Sequence, residues 1–263
     1  MPHVNVNGLK MYYEVHGKGY PLVLVAGYTC DVNLWALVLD SLSSHYQVIV
    51  FDNRGVGQTD SPEEPYTIEM MADDTIELTR ELGIDRFHTL GHSMGGCIAQ
   101  RIAAMFPESV DKVIIANSSS FFNVTTRMNF RFFTRLRELK VDLKLLVEGI
   151  LPWLYSPEFL TTPENVKLIV QLATHNPRPQ TVEGQKNQMN ALLTFDARPW
   201  LESIKAKTLV ICGEKDITSP PSDAAFSAEH IANSQLLTIP GVAHLPLIEA
   251  PQLFVDAVLK FLA

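Results

Sequence analysis

The chain has 263 residues, 46% of them hydrophobic and 19% charged, and a formal net charge of −8. This is the composition of a soluble globular protein, long enough for one sizeable core or for a core with an inserted lobe. The acidic balance and the lack of a basic block argue against nucleic acid and anionic membranes as partners. No apolar run approaches the roughly 20 residues of a membrane span.

The first residues, "MPHVNVNGLKMYYEVHG", alternate apolar and polar and lack a charged-then-apolar leader pattern. Asn7-Gly8 between "HVNV" and "LKMYYEV" predicts a hairpin. Three nearly continuous apolar runs, 21–27, 46–52 and 87–93, suit strands buried on both faces. Helical patterns lie between them at 33–43 and 67–82, the second bounded by Thr67 and Gly83. A helix over 95–106 ends at Pro107, and 111–118 reads as a further strand. The alternation then stops, and 121–198 shows only helical patterns interrupted by Pro152, Pro157, Pro163, Pro177 and Pro179. Strand and helix resume with 206–214, a helix near 221–231, a strand at 235–239 and a closing helix near 250–262. The expected architecture is a doubly wound, mostly parallel α/β sheet built from 1–120 and 199–263, with 121–198 as an all-helical insertion. Cys30, Cys97 and Cys212 are odd in number, far apart and without a CxxC pair, so reduced thiols and a cytoplasmic location are expected.

In "TLGHSMGGCIAQ" (89–100), Ser93 lies between an apolar run and a helical pattern, with Gly91 and Gly95 two residues to either side and Gly96 next. This G-x-S-x-G pattern predicts a sharp turn that lifts the hydroxyl above a strand end. There, at the N-terminus of a helix, free N–H groups and the helix dipole favour negative charge. A serine hydroxyl attacks well only when a base takes its proton, and that base must be oriented. Of eight histidines, His3, His16, His45, His88, His175 and His230 read as structural or solvent-exposed, and His92 as a packed neighbour of the serine. His244 differs, because "IPGVAHLPLIEAP" puts it in the loop after the last strand, where open α/β sheets build their sites. Asp216 in "LVICGEKDITSP" occupies the loop after the preceding buried run and completes the order Ser, Asp, His. Glu214 is its rival in that loop, Asp223 a weaker one, and Asp196 reads as a surface residue. The backbone N–H groups of Tyr28 and Met94 are the expected donors to an oxyanion. No HExxH, Cys/His cluster or EF-hand pattern occurs, and "RGVGQTD" lacks dinucleotide spacing, so neither metal nor cofactor is expected.

The segments "LVLVAGY", "FDNRGVGQTDSP", "LGHSMGGCIAQ", "LVICGEKD" and "GVAHLPLIEAP", in this order, resemble the α/β-hydrolase fold family over nearly the whole core. The resemblance implies Ser93 as nucleophile, Asp216 as acid and His244 as base, with a structural turn at Asp52, Arg54, Gly55 and Gly57. Ala26 departs from the family pattern, because many members carry histidine before the oxyanion glycine. Serine rather than aspartate at the nucleophile position excludes haloalkane dehalogenase and epoxide hydrolase chemistry. The insertion, through "GILPWLYSPEFL" and "NALLTFDARPWLESIKAKTLVICG", is similar to the caps of 3-oxoadipate enol-lactonases and aminoacrylate hydrolases.

The expected function is therefore hydrolysis of a small carboxylic ester or lactone through an acyl-enzyme, on a small-molecule substrate. C–C bond hydrolases, cofactor-free perhydrolases and ligand receptors with little turnover are rivals on the same fold. Trp153 and Tyr155 are candidate substrate walls, with Leu245 beside the base. Arg127, Arg131 and Arg135 recur every four residues along one helix face and read as a solvated surface. Met128, Phe132, Leu136, Leu139 and Leu143 form the neighbouring stripe, expected to be the buried one. On that basis the acyl groups accepted should be neutral and largely apolar.

Overall fold

The computed structural model describes residues 2–263. β1 (His3–Val6) and β2 (Leu9–His16) form the predicted hairpin, with Val6 opposite Leu9. Its turn residues Asn7 and Gly8 both have positive φ, 48° and 82°, as a two-residue turn matched to strand twist requires. β3 (Pro21–Val25), β4 (Gln47–Phe51), β5 (Phe87–His92), β6 (Val110–Ala116), β7 (Lys207–Gly213) and β8 (Ser234–Ile239) complete an eight-stranded sheet. The strand order is β1-β2-β4-β3-β5-β6-β7-β8, and all pairings from β4 to β8 are parallel.

Period-two alternation explains how short apolar runs feed two cores. Val23, Val25, Ile49, Phe51, Val113 and Ile115 face one layer of helices, while Leu22, Leu24, Val48, Val50, Ile114 and Ala116 face the other. Helix α1 (Leu39–Ser43) follows a separate 3-10 turn at Val32–Trp35, so the single helix expected over 33–43 is divided. The turn's i→i−3 bonds, Ala36 N–H to Asn33 and Val38 N–H to Trp35, carry Trp35 and Val38 into the same core. α2 (Ile68–Glu81) and α3 (Met94–Met105) cover the first face of the sheet. Thr67 caps α2 by accepting the Met70 N–H at 3.1 Å.

Between β6 and β7 the chain forms α4 (Val124–Glu138), α5 (Leu143–Leu154), α6 (Pro157–Leu160), α7 (Pro163–Thr174) and α8 (Val182–Thr194). It leaves the core and returns to it side by side. Phe121 and Asp196 form an antiparallel bridge, and the Ala197 N–H donates to the Ser120 carbonyl at 2.7 Å. Pro157 and Pro163 open helices, whereas Pro152 sits inside α5 close to its end. The helical phase of α4 differs from expectation. Met128, Phe132 and Leu139 are 64%, 58% and 59% exposed, and Thr126, Phe130, Phe133 and Thr134 are the buried residues. Phe130 packs edge-on against both Tyr28 and Phe122, so aromatic partners on the core select this face.

α9 (Pro221–His230) returns to the first face, and α10 (Pro246–Glu249) and α11 (Pro251–Leu262) close the chain, with α11 on the second face. Ala250, at φ −144° and ψ 60°, separates α10 from α11. Pro251 follows it, and a proline ring excludes the helical conformation from the residue before it. Among the described residues no helix is long and apolar enough to cross a membrane.

Candidate active site

Tyr28, Ser93, Asp216 and His244 all lie just beyond the carboxyl ends of parallel strands: β3, β5, β7 and β8 respectively. An open parallel sheet gathers loops from distant parts of the sequence at that edge.

Ser93 has φ 55° and ψ −117°, a conformation costly for a residue with a side chain, and it separates β5 directly from α3. The surrounding glycines are explained by proximity. A Cβ on Gly91 would lie 2.0 Å from the Gly95 carbonyl oxygen, and one on Gly95 would lie 1.9 Å from the Val25 carbonyl oxygen. The helix therefore starts in contact with the ends of both β3 and β5, which side chains at these positions would forbid. Gly95→Ala is expected to lose at least about 3 kcal/mol of stability or fail to accumulate as soluble protein, because backbone rather than a side chain must move. A Gly95→Ala urea midpoint equal to that of the parent protein would contradict this packing.

The His244 Nε2 lies 3.0 Å from Ser93 Oγ, and its Nδ1 lies 2.8 Å from Asp216 Oδ2. A carboxylate only accepts, so Nδ1 carries the proton and Nε2 presents its lone pair to the serine hydroxyl. Asp216 is held from both sides. Its Oδ1 accepts the N–H groups of Thr218 and Ser219 at 2.8 and 2.9 Å, and its Oδ2 accepts Asn117 Nδ2 at 2.9 Å. The rival acids are engaged elsewhere: Glu214 accepts the Gly241 N–H, Asp223 accepts the Ser119 hydroxyl, and Asp196 pairs with Arg198.

His92 buttresses the base from behind. Its Nε2–H donates to the His244 carbonyl at 2.8 Å, and burial pushes its pKa down to about 3. The His244 N–H donates to the Leu154 carbonyl at the end of α5, tying the base loop to the helical insertion. Neither the Tyr28 nor the Met94 N–H donates to another protein group among the described residues. The Tyr28 loop is fixed by other bonds: Asn53 Nδ2 to the Ala26 carbonyl at 3.2 Å, and the Thr29 N–H to Gln188 Oε1 at 3.1 Å.

Ser93 and His244 open onto a cavity of about 320 Å³, walled by both the sheet's loops and the helical insertion. The mostly apolar lining includes Phe130 and Phe133 from α4, Val147 and Leu151 from α5, and both Tyr155 and Leu245. Trp153, expected as a wall, is not part of it. The lining face of α5 carries Leu143, Leu146, Val147, Ile150, Leu151 and Leu154, and Trp153 is not part of it, its carbonyl accepting the Thr218 hydroxyl. Sequence reasoning also missed Asn117 and Gln188. Asn117 is a polar residue directly after the apolar run of β6, with φ 46°, and that position beside β7 is the signal that marks it. Gln188 carried no comparable signal, because its partner lies 159 residues away in sequence.

Three buried groups around this framework set an acid dependence of stability. Burial lowers His88 to about 4 and His92 to about 3, while burial raises Asp52 to about 6. Unfolded histidine titrates near roughly 6.5 and aspartate near roughly 3.9. Between pH 4 and 6 the unfolded chain therefore holds two histidine protons that the folded chain refuses, and the folded chain holds one aspartate proton that the unfolded chain has lost. These groups leave the unfolded state about one proton richer, so stability rises with pH by roughly 1.4 kcal/mol per unit. Urea midpoints at pH 4.5 and 5.5 check the sign; a midpoint that falls over this interval would contradict it.

Comparison with known proteins follows this geometry. A family model described as the alpha/beta hydrolase fold matches residues 20–251. The "Putative carbamate hydrolase RutD" of Caulobacter sp. (strain K31) is 30% identical over 264 residues, 98% of this chain and 97% of that protein. The 3-oxoadipate enol-lactonase 2 of Acinetobacter baylyi is 30% identical over 233 residues, 88% of this chain and 85% of that one. The crystal structure of the enol-lactonase from Burkholderia xenovorans LB400 has a TM-score of 0.87, with 26% identity and 99% of both chains covered.

Proposed function

Because this chain belongs to the α/β-hydrolase fold family, we propose that it is a serine hydrolase cleaving a small carboxylic ester or lactone through an acyl-enzyme. The observation that carries this reading is the unbroken hydrogen-bond chain from Ser93 through His244 to Asp216 at the cavity wall. In the proposed cycle Ser93 Oγ attacks the carbonyl carbon as His244 Nε2 takes the hydroxyl proton. Asp216 keeps the Nδ1–H in place and stabilises the imidazolium that forms. The uncommitted N–H groups of Tyr28 and Met94 bind the oxyanion of the tetrahedral intermediate. Collapse breaks the bond to the leaving oxygen, which takes the proton from Nε2. Water then attacks the acyl-enzyme with the same base, releasing the acid and free Ser93. Residues 121–198 act as a cap over the reacting carbonyl, and the three unpaired cysteines fit a reducing cytoplasm.

The likeness to RutD proteins favours a second reading, in which the same groups attack a carbamate carbonyl. A substrate panel decides between them: p-nitrophenyl acetate, an enol-lactone, an alkyl carbamate and a vinylogous 1,5-diketone, with a peroxide-dependent halogenation assay alongside. Turnover of the ester or lactone well above the other substrates is expected. Carbamate cleavage alone, or halogenation without ester hydrolysis, would replace the proposal.

A further inference from the structure

Only one side chain in the cavity lining carries a permanent charge, and nothing in the lining balances it. Arg137 sits one turn beyond Phe133 on the cavity face of α4. Its Nη2 donates to the Gln180 carbonyl at 2.8 Å, and its Nε–H is buried without any partner. Among the described residues Arg137 makes no ion pair, and neither aspartate nor glutamate lines the cavity. Arg135, two residues before it, instead pairs with Glu138 at the surface. Arg137 is half-buried, with its Nε–H shut off from water and its charge uncompensated, and a bound carboxylate answers both that charge and the open N–H. In a chain of net charge −8 an unpaired cation at this position is not a general surface property.

The position also bears on the reacting end. Burial raises the Tyr28 hydroxyl to about 12, and the charge of Arg137 acts on that same hydroxyl in the opposite direction. Arg137 thus lies within electrostatic reach of the residue whose N–H is the proposed oxyanion donor.

We infer that Arg137 forms a carboxylate-binding subsite, and that the preferred substrates are esters or lactones bearing a second, ionised carboxylate on the acyl side. This rests on the acyl-transfer reading of Ser93. It replaces the neutral preference expected from Arg127, Arg131 and Arg135, because Arg131 and Arg135 are exposed and none of the three lines the cavity.

The test compares monoethyl glutarate with ethyl valerate, followed by acid release, in the parent protein, Arg137→Gln, Arg137→Lys and the surface control Arg135→Gln. Arg137→Gln should lower kcat/KM for the glutarate ester relative to the valerate ester by about 50-fold, mainly through KM. Arg137→Lys should recover part of that ratio, Arg135→Gln should leave it unchanged, and added salt should reduce it in the parent protein. A ratio within threefold of the parent value in Arg137→Gln overturns the subsite. Calorimetric binding of glutarate provides an arm independent of turnover, with binding expected in the parent and lost in Arg137→Gln. Equal binding by both, or none by either, overturns the inference. Failure of the acyl-transfer reading is seen separately, as absence of turnover of either ester together with no labelling of Ser93 by a fluorophosphonate.

Discussion

Ser93→Ala is expected to lower kcat for ester hydrolysis by on the order of 10⁶-fold, the loss seen when a serine acting with a base is removed from comparable chemistry. The magnitude follows from the arrangement, since the next hydroxyls have neither the base nor the helix N-terminus. His244 Nε2 has Ser93 Oγ as its partner at 3.0 Å among the described residues. Folding is the necessary control. Alanine keeps the backbone demand of φ 55°, whereas Ser93→Gly relieves it, so the glycine variant should be equally inactive but no less stable. Residual turnover within a hundredfold of the parent, in a variant with unchanged thermal unfolding, would remove Ser93 from the mechanism.

Asp216→Asn is expected to lower turnover by roughly 10³–10⁴-fold with the fold intact. An amide at this position offers N–H where the carboxylate offered a lone pair, so the imidazole turns to the tautomer with hydrogen on Nε2 and no longer accepts from Ser93. Thr218 and Ser219 sharpen the effect, because their N–H groups hold the amide oxygen at the Oδ1 position and turn its NH2 toward His244. Glu214→Gln and Asp223→Asn should each stay within about tenfold, or ~1.4 kcal/mol of barrier. Their carboxylates serve the Gly241 N–H and the Ser119 hydroxyl and do not touch the base. Measured kcat for the three variants on one ester checks the assignment, and a crippled Glu214→Gln beside an active Asp216→Asn would reverse it.

The parallel sheet was legible because strands buried on both faces write themselves as apolar runs, and each predicted run corresponds to one of β3 to β8. The elbow was legible for a different reason: close backbone approach at Gly91 and Gly95 admits no side chain, and that constraint is local. What the residues could not show depends on helical phase and distant partners. α4 carries apolar residues on two faces, and only packing against Tyr28 and Phe122 buries Phe130 and Phe133 and leaves Met128 and Phe132 exposed. The same rotation brings Arg137 to the cavity and leaves Arg131 and Arg135 in solvent, as the solvated-face reading of those two expected, whereas spacing alone gave no sign of Arg137. The closing helix, expected near 250–262, is α11, and its start was written in the Ala250-Pro251 pair.

The central claim is that Ser93 Oγ forms the covalent bond to the acyl group. Reaction of the intact protein with a fluorophosphonate, followed by mass spectrometry of the whole chain and its peptides, tests this most directly. The arrangement predicts one equivalent incorporated, on the peptide containing Ser93, with incorporation slowed in Asp216→Asn and absent in Ser93→Ala. Labelling at another residue, or undiminished labelling of Ser93→Ala, would contradict it.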